Sequence, residues 1–268
     1  MPYFGSTDVN AIQNSFIHNA SITVSDGSNT ATLVEYCSKS LPDSLLPLIA
    51  SFTGIDPLTL KNFDYCIYTT LNPALFGQSG KTYTLKILAN GKNLTSTTSI
   101  LPAIPLDTAW IRYEKVNKTG DSLGFMWGHL TEPGNTYNAY RWLTKRNTKD
   151  YSFIAPPGAA SDDKYYNGQS FDFAYSRGSA QNSDAKDDNN EERGYFKSGD
   201  TVVIKFCTIE RATYSFYRSL DIILNNNGNP FASPSSVESN IYPKEESLGI
   251  WCGYGVATHT VILSLIHI

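Results

Sequence analysis

The segment KTYTLKIL, residues 81–88, alternates apolar and polar side chains with the period of a β-strand. Tyr83, Leu85 and Ile87 fall on one side of such a strand, and the polar residues between them fall on the other. This alternation is typical of an antiparallel sheet that has one face on a hydrophobic core and the other in water. The segment therefore predicts a sandwich of β-sheets, and similar segments flank it.

Four further runs of this kind lie in the first hundred residues, at 20–27, 30–37, 63–70 and 93–100. Asp-Gly and Asn-Gly pairs between runs are typical of hairpins. An immunoglobulin-like sandwich has about seven strands, and these runs supply fewer before the stiff, proline-bearing segment LPAIPLD at 101–107. We therefore predict an immunoglobulin-like β-sandwich over residues 1–107 whose first strand or strands lie upstream of Met1.

Residues 41–60 interrupt this strand pattern with helical signals. Asp43 is a candidate helix cap, Gly54 a helix end, and Asp56-Pro57 the start of another helical turn. We predict a short helical insertion that covers an edge of the sandwich. A helix that binds a partner is the alternative.

Residues 108–268 repeat the strand-like pattern, at 110–116, 122–130, 137–146, 169–176 and 200–209, with a last run that ends near residue 263. One helix stands out at about 210–225. Its apolar residues share a single face, which predicts a helix packed on the core; they are Phe216, Tyr217, Leu220, Ile223 and Leu224. The whole chain is thus predicted to be mainly β, with a second β-rich sandwich or barrel-like domain that carries one amphipathic helix.

The loop NNNGNPFASPSSVESNI, residues 225–241, follows that helix. Pro230 and Pro234 restrict the backbone of the residues before them, and Asn229 tolerates unusual dihedral angles. Phe231 is an apolar side chain able to anchor the loop. We predict a fixed connection, with a ligand-contacting loop as the alternative.

Charge and hydropathy narrow the classes of partner. The formal net charge is −4 and only 17% of residues are charged, so no broad basic surface draws the chain to nucleic acid. The amino terminus has no signal-peptide pattern, and no run of about 18 apolar residues could span a bilayer. The chain as given is expected to be soluble.

The four cysteines, Cys37, Cys66, Cys207 and Cys252, lack the close spacing of a zinc site. We predict buried free thiols. If they are oxidised, three pairings are possible, and the pairing within each half of the chain, Cys37 with Cys66 and Cys207 with Cys252, is the preferred alternative.

No sequence motif for a catalytic nucleophile, phosphate loop, dinucleotide or metal is found. The four histidines are far apart in the sequence, and the acidic segment at 184–192 lacks the register of a calcium-binding loop. We therefore predict no catalytic, cofactor or metal site and a chain that is not an enzyme.

Aromatic side chains are the best candidates for a binding surface, because they bury a large area at little cost in side-chain entropy. Arg141 and Trp142 are neighbours on an alternating strand, so one of them should face outward. The candidate binding surface consists of Trp142, Arg141, Tyr165, Tyr166, Asn229 and Phe231.

Several segments occur in an order that identifies a family resemblance. They are GKTYTLKILANGK (80–92), LPAIPLD (101–107), GDTVVIKFCTIERATYSFYRSL (199–220), GNPFASPSSVESNI (228–241) and LGIWCGYGV (248–256). With them the chain resembles a Bacteroidota family of outer-membrane lipoproteins, the domain of unknown function DUF4249. The resemblance covers nearly the whole chain.

The resemblance implies an exported lipoprotein with a signal peptide, an acylated cysteine and an amino-terminal immunoglobulin-like domain. It places the full-length form at the outer membrane or cell surface, where many members are encoded near TonB-dependent receptors. The present chain begins after the signal and the lipid-bearing cysteine, which implies an amino-terminal truncation and agrees with the missing strand.

These observations favour a non-catalytic surface domain that binds a small molecule, a glycan, a peptide or a partner, as an accessory to a TonB-dependent receptor. A structural or adhesive module is the first alternative. A hydrolase is the second, and it requires a cluster of histidine or carboxylate groups that the sequence does not reveal.

Overall fold

A computed structural model of the chain describes residues 16–178, 191–226 and 236–264. The fold is mainly β, built from several antiparallel sheets with few helices, as the sequence predicts. The strands are β1 (Ser21–Ser25), β2 (Thr30–Thr32), β3 (Val34–Cys37), β4 (Cys66–Thr69), β5 (Thr82–Ala89), β6 (Lys92–Ser99), β7 (Thr108–Val116), β8 (Ser122–Thr131), β9 (Ala139–Arg146), β10 (Ala160–Asp162), β11 (Ser170–Tyr175), β12 (Phe196–Lys197), β13 (Thr201–Thr208) and β14 (Gly255–Ile262). The α-helices are α1 (Leu46–Thr53), α2 (Pro57–Asn62) and α3 (Arg211–Asn226), and 3₁₀ turns cover Ser38–Ser40, Asp43–Leu45, Pro73–Leu75 and Lys244–Glu246.

The first sheet has the strand order β2-β1-β5-β6. Tyr83 and Leu85 of β5 are buried, as the alternation in residues 81–88 predicts, and they pack with Val24 of β1. Asn90 and Gly91 join β5 to β6, and both have positive φ, the backbone that a tight two-residue hairpin requires. The turn residues and the burial pattern therefore favour the same register of β5 with β6.

The predicted insertion at 41–60 forms α1 and α2, which bury a small cluster of their own around Leu46, Ile49 and Leu60. The Asp56 side chain accepts a hydrogen bond from the Thr59 backbone N–H at 2.9 Å and so caps α2. Gly54 ends α1 with positive φ, and a Cβ atom there would lie 2.9 Å from Ser152 Oγ. A glycine at this position therefore allows the insertion to approach the loop after β9.

A disulfide links Cys37 of β3 to Cys66 of β4. The two residues are direct partners in the β3–β4 ladder. The prediction of free thiols is wrong for this pair, because strand pairing brings two residues together that lie 29 positions apart. Cys207 and Cys252 are free, so the alternative pairing of Cys207 with Cys252 is wrong.

Thiol mapping checks this assignment. Alkylation of the unreduced, denatured protein is expected to modify Cys207 and Cys252 but not the disulfide-bonded pair. In the folded protein Cys207 should stay unmodified, because burial raises the pKa of its thiol to about 12 and leaves little reactive thiolate. Mass spectrometry of the digested protein reads both outcomes. Modification of all four cysteines, or rapid modification of Cys207 in the folded protein, contradicts the assignment.

Two further sheets face each other across the largest core. One has the order β10-β9-β13-β14; in the other, β8 pairs with β7 and also with β11 and β12. Trp142 of β9 contacts the rings of Phe173 and Tyr175 on β11, at centroid distances of 5.7 and 5.3 Å. Side chains of both sheets thus share one apolar cluster, as in a sandwich.

Helix α3 lies over the outer face of the β10-β9-β13-β14 sheet, close to the predicted range of 210–225. Tyr214 of α3 is buried there with Cys207 and Ala139. Leu224, which the periodicity assigns to the buried face, is 61% exposed. The helix therefore covers one face of a sheet whose other face is already in the core.

The segment before β14 returns to the first sheet. Tyr242 forms a backbone bridge with Thr95 of β6, and Trp251 Nε1 donates to the Tyr83 carbonyl at 3.1 Å. The predicted fixed connection at 225–241 is described only at its two ends, where Asn240 exchanges hydrogen bonds with the backbone of Trp251. The immunoglobulin-like topology and the domain boundary at residue 107 stay predictions.

Candidate ligand-binding site

A cavity of about 750 Å³ lies between α3, the loop at 152–160 and the turn that joins α1 to α2. Its volume falls within the range of about 300–1,000 Å³ that is usual for small-molecule sites. Apolar side chains form much of the wall, namely Ile55, Ile154, Pro156, Pro157, Leu220 and Leu224. Charged groups are few, and they come from Arg141, Asp221 and Arg193. We call this space the α3 cavity.

The position of Arg141 follows from strand β9. Alternate β9 residues, Trp142 among them, point into the sandwich core, so Arg141 points to the opposite face, under α3. Its guanidinium carbon lies 3.4 Å from the ring centroid of Tyr217, a residue of α3. Arg141 Nη1 donates to the hydroxyl of Tyr254 at 2.7 Å. The two phenol oxygens are also 2.7 Å apart and hydrogen-bonded, so both rings hold the arginine in place.

The charge of Arg141 is not neutralised by these neighbours. Burial raises the pKa values of Tyr217 and Tyr254, which keeps both phenols uncharged. Within the described ranges no carboxylate forms an ion pair with Arg141. Asp221, the acidic residue of the cavity wall, instead accepts a hydrogen bond from the Gly158 backbone N–H at 3.2 Å. The cavity therefore contains a positioned cation with capacity for an anion.

Glycine shapes one wall of the cavity. Gly178 has positive φ, and a Cβ atom at this residue would lie 3.0 Å from the backbone of Pro156. Because Gly178 has no side chain, the loop at 152–160 can come close to this residue, which lies shortly after β11. This close approach restricts the backbone of the loop near Pro156, which lines the cavity.

A profile with the description "Domain of unknown function (DUF4249)" matches residues 4–260. The chain belongs to the DUF4249 family. Neither a curated protein nor a solved structure matches it. No helix in the described part of this DUF4249 chain has the length and apolar character to cross a bilayer.

The structure separates the six predicted site residues of the DUF4249 chain. Arg141 lines the α3 cavity, whereas Trp142 is fully buried and cannot contact a ligand, which corrects its assignment. Tyr165 is 81% exposed and stands apart from the cavity wall. Tyr166 packs on Phe171 in the sandwich core at a centroid distance of 4.6 Å. Asn229 and Phe231 lie outside the described residues.

Sequence reasoning did not place two tyrosines beside Arg141. Tyr217 was assigned to a core-facing stripe, and that is where it lies, but the same face of α3 also meets the arginine. Tyr254 stands beyond a loop, 113 residues from Arg141 in the sequence. The short segment YRW around Arg141 was the available signal, since it places a charged side chain between two large aromatic residues.

One group of potential metal ligands lies elsewhere, in the first region of the chain. His18, Glu35, Cys37 and Cys66 bring their ligand atoms within 4.8 Å of one another. Both sulfur atoms belong to the disulfide, however, so neither is a thiolate able to bind a metal. The acidic segment at 184–192, which lacks the register of a calcium-binding loop, lies mostly outside the described residues. Glu191 and Glu192 are described, and they pair with Lys118 and Lys197.

Proposed function

We propose that this chain is a ligand-binding domain whose α3 cavity holds a small organic anion. The observation that carries the proposal is the guanidinium of Arg141, which lies against Tyr217 in a largely apolar cavity and has no carboxylate partner in the described part of the chain. A planar guanidinium matches a carboxylate with two parallel N–H···O hydrogen bonds. A carboxylate is therefore the group that fits this end of the cavity.

The remaining walls favour a ligand with an apolar body. Burial of apolar surface contributes about 25 cal/mol per Å², and most of the named wall residues are aliphatic or proline. A small carboxylic acid, an acidic sugar and the carboxyl end of a peptide all meet both requirements. These compounds belong to the three ligand classes expected from the sequence, and they share the anionic group.

The family resemblance supports a further proposal about where the protein is located and which partner it has. In its full-length form the protein is proposed to be an outer-membrane lipoprotein that presents this cavity as an accessory to a TonB-dependent receptor. An immunoglobulin-like first domain would then act as the spacer near the membrane. Affinity capture by the full-length lipoprotein from detergent-solubilised outer membranes tests the partner. A capture that recovers no such receptor contradicts this part of the proposal.

Binding of carboxylates can be measured directly. A panel of aliphatic, aromatic, sugar and peptide carboxylates is titrated into the protein by calorimetry, each beside its uncharged amide. At least one carboxylate is expected to bind, and its amide is expected to bind more weakly by about tenfold or more, since hydrogen bonds to charged groups contribute about 1.5–3 kcal/mol. Equal affinity of acids and amides, or no binding across the panel, contradicts the function.

A further inference from the structure

Ser170, His129 and Asp172 form a hydrogen-bonded row on a different part of the molecule. His129 Nδ1 lies 2.5 Å from Asp172 Oδ1, and Ser170 Oγ lies 2.9 Å from His129 Nε2. The imidazole therefore contacts a carboxylate through one nitrogen and a hydroxyl through the other. None of these residues lines the α3 cavity.

Strand pairing produces this arrangement. Ser170 and Asp172 are two positions apart on β11, so both side chains point to the same face of the sheet. Asp172 is the direct partner of His129 on the neighbouring strand β8, and Ser170 is the partner of Thr131. His129 and Ser170 are 41 positions apart, which hides the arrangement in the sequence.

The hydrogen bonds have a consistent direction. With the Nδ1 proton donated to Asp172, the Nε2 atom of His129 is free to accept the proton of Ser170. Thr131 Oγ1 lies 3.1 Å from Ser170 Oγ and can donate to it. This is the connectivity of nucleophile, base and orienting carboxylate that activates a serine for attack on an acyl group.

The row is open to a substrate. The side chains of His129 and Asp172 are 35% and 52% exposed, and Ser170 is exposed. The backbone carbonyl of His129 accepts a hydrogen bond from the Asp107 backbone N–H, on the side of β8 that faces β7. The N–H and C=O groups of His129 therefore point toward β7, and those of its partner Asp172 on β11 point away from β8. Because the direction of the backbone N–H alternates from residue to residue along a strand, the N–H of Ser170 points the same way as that of Asp172, toward the edge of β11. That N–H lies beside its own hydroxyl and can donate to a developing oxyanion.

An apolar surface adjoins the row. Trp127 is two positions before His129 on β8, and its ring stacks with Trp110 of β7 at a centroid distance of 6.3 Å. Both rings are partly exposed. They offer a flat support for the acyl or sugar portion of an ester.

We propose that Ser170 is the nucleophile of an esterase site with small carboxylic esters as its substrates. Ser170 Oγ bonds to the acyl carbon while its proton passes to His129 Nε2, and the ester C–O bond then breaks as the leaving alcohol takes that proton. A water molecule then gives a proton to His129 Nε2 and attacks the acyl carbon. The bond between the acyl carbon and Ser170 Oγ breaks as Oγ takes that proton from His129, which releases the carboxylic acid and restores both residues. Asp172 holds the imidazole in the required tautomer.

A fluorophosphonate probe and p-nitrophenyl acetate test the proposal on the whole chain. The wild type is expected to become labelled at Ser170, as read by peptide mass spectrometry, and to hydrolyse the ester. Ser170→Ala should lose labelling and turnover. Asp172→Asn should slow both by about 100-fold or more, because general acid–base catalysis contributes about 10²- to 10⁴-fold.

A matched control variant shows whether the loss depends on Ser170 in particular. Ser99→Ala removes another strand hydroxyl, which lies 2.8 Å from Thr82 Oγ1, and should change neither readout. Unfolding curves verify that each variant is folded. A wild type that is not labelled at Ser170, or a Ser170→Ala variant with undiminished turnover, overturns the proposal.

Discussion

Replacement of Trp142 by alanine is expected to lower the free energy of unfolding by about 3–5 kcal/mol, the usual cost when a large aromatic side chain is removed from a core. Trp142 is fully buried, and its ring contacts Phe173, Tyr175 and Phe206 at centroid distances between 5.3 and 6.4 Å. The substitution leaves a cavity between the two sheets that the neighbouring rings cannot fill. Urea unfolding followed by circular dichroism measures the loss.

Tyr165→Ala is the matched control, since the sequence assigns Tyr165 and Trp142 to one surface. Tyr165 is 81% exposed, and its removal should change stability by no more than about 0.5 kcal/mol. Similar losses for both variants would show that Trp142 is not in the core. The two residues thus separate a packing role from a surface position.

The second large effect is expected for Arg141→Met. Affinity for the best carboxylate of the panel should fall by about 10- to 150-fold, which corresponds to the loss of about 1.5–3 kcal/mol from charged hydrogen bonds. Methionine keeps an unbranched apolar stem of similar reach, so contact with the Tyr217 ring is largely retained. Calorimetric titration of wild type and variant gives the ratio of dissociation constants.

Arg112→Met is the control for this substitution. Arg112 also lies near an aromatic ring, 5.6 Å from the Trp127 centroid, but it belongs to β7, outside the α3 cavity. Its replacement should leave carboxylate affinity unchanged. If Arg141→Met binds as tightly as the wild type while Arg112→Met binds weakly, the site is on the other sheet.

The sequence predicts the strands well where burial alternates. In residues 81–88 the inward side chains are those with apolar character, and the Asn90-Gly91 turn matches the hairpin. Helix α3 was found because its apolar residues recur at helical spacing. Each of these signals is local, so it can be recognised in the sequence without knowledge of the neighbouring strands.

The candidate site depends on contacts that are not local. Alternation says that Arg141 and Trp142 face opposite sides of β9, but it does not say which side α3 covers. Because α3 covers the outer side of this sheet, Arg141 lies in a cavity and not in open solvent. Ser170 and His129 likewise meet only through the register of β8 and β11. The sequence offers the Cys37–Cys66 disulfide only as an alternative for the same reason, since the bond depends on the β3–β4 ladder.

A crystal structure of the wild-type protein with the tightest-binding carboxylate tests the central claim most directly. We predict that the carboxylate oxygens lie within hydrogen-bond distance of the Arg141 guanidinium and that the body of the ligand lies between α3 and the loop at 152–160. A ligand bound elsewhere, or an Arg141 side chain in an ion pair with a carboxylate of the protein itself, would contradict the account.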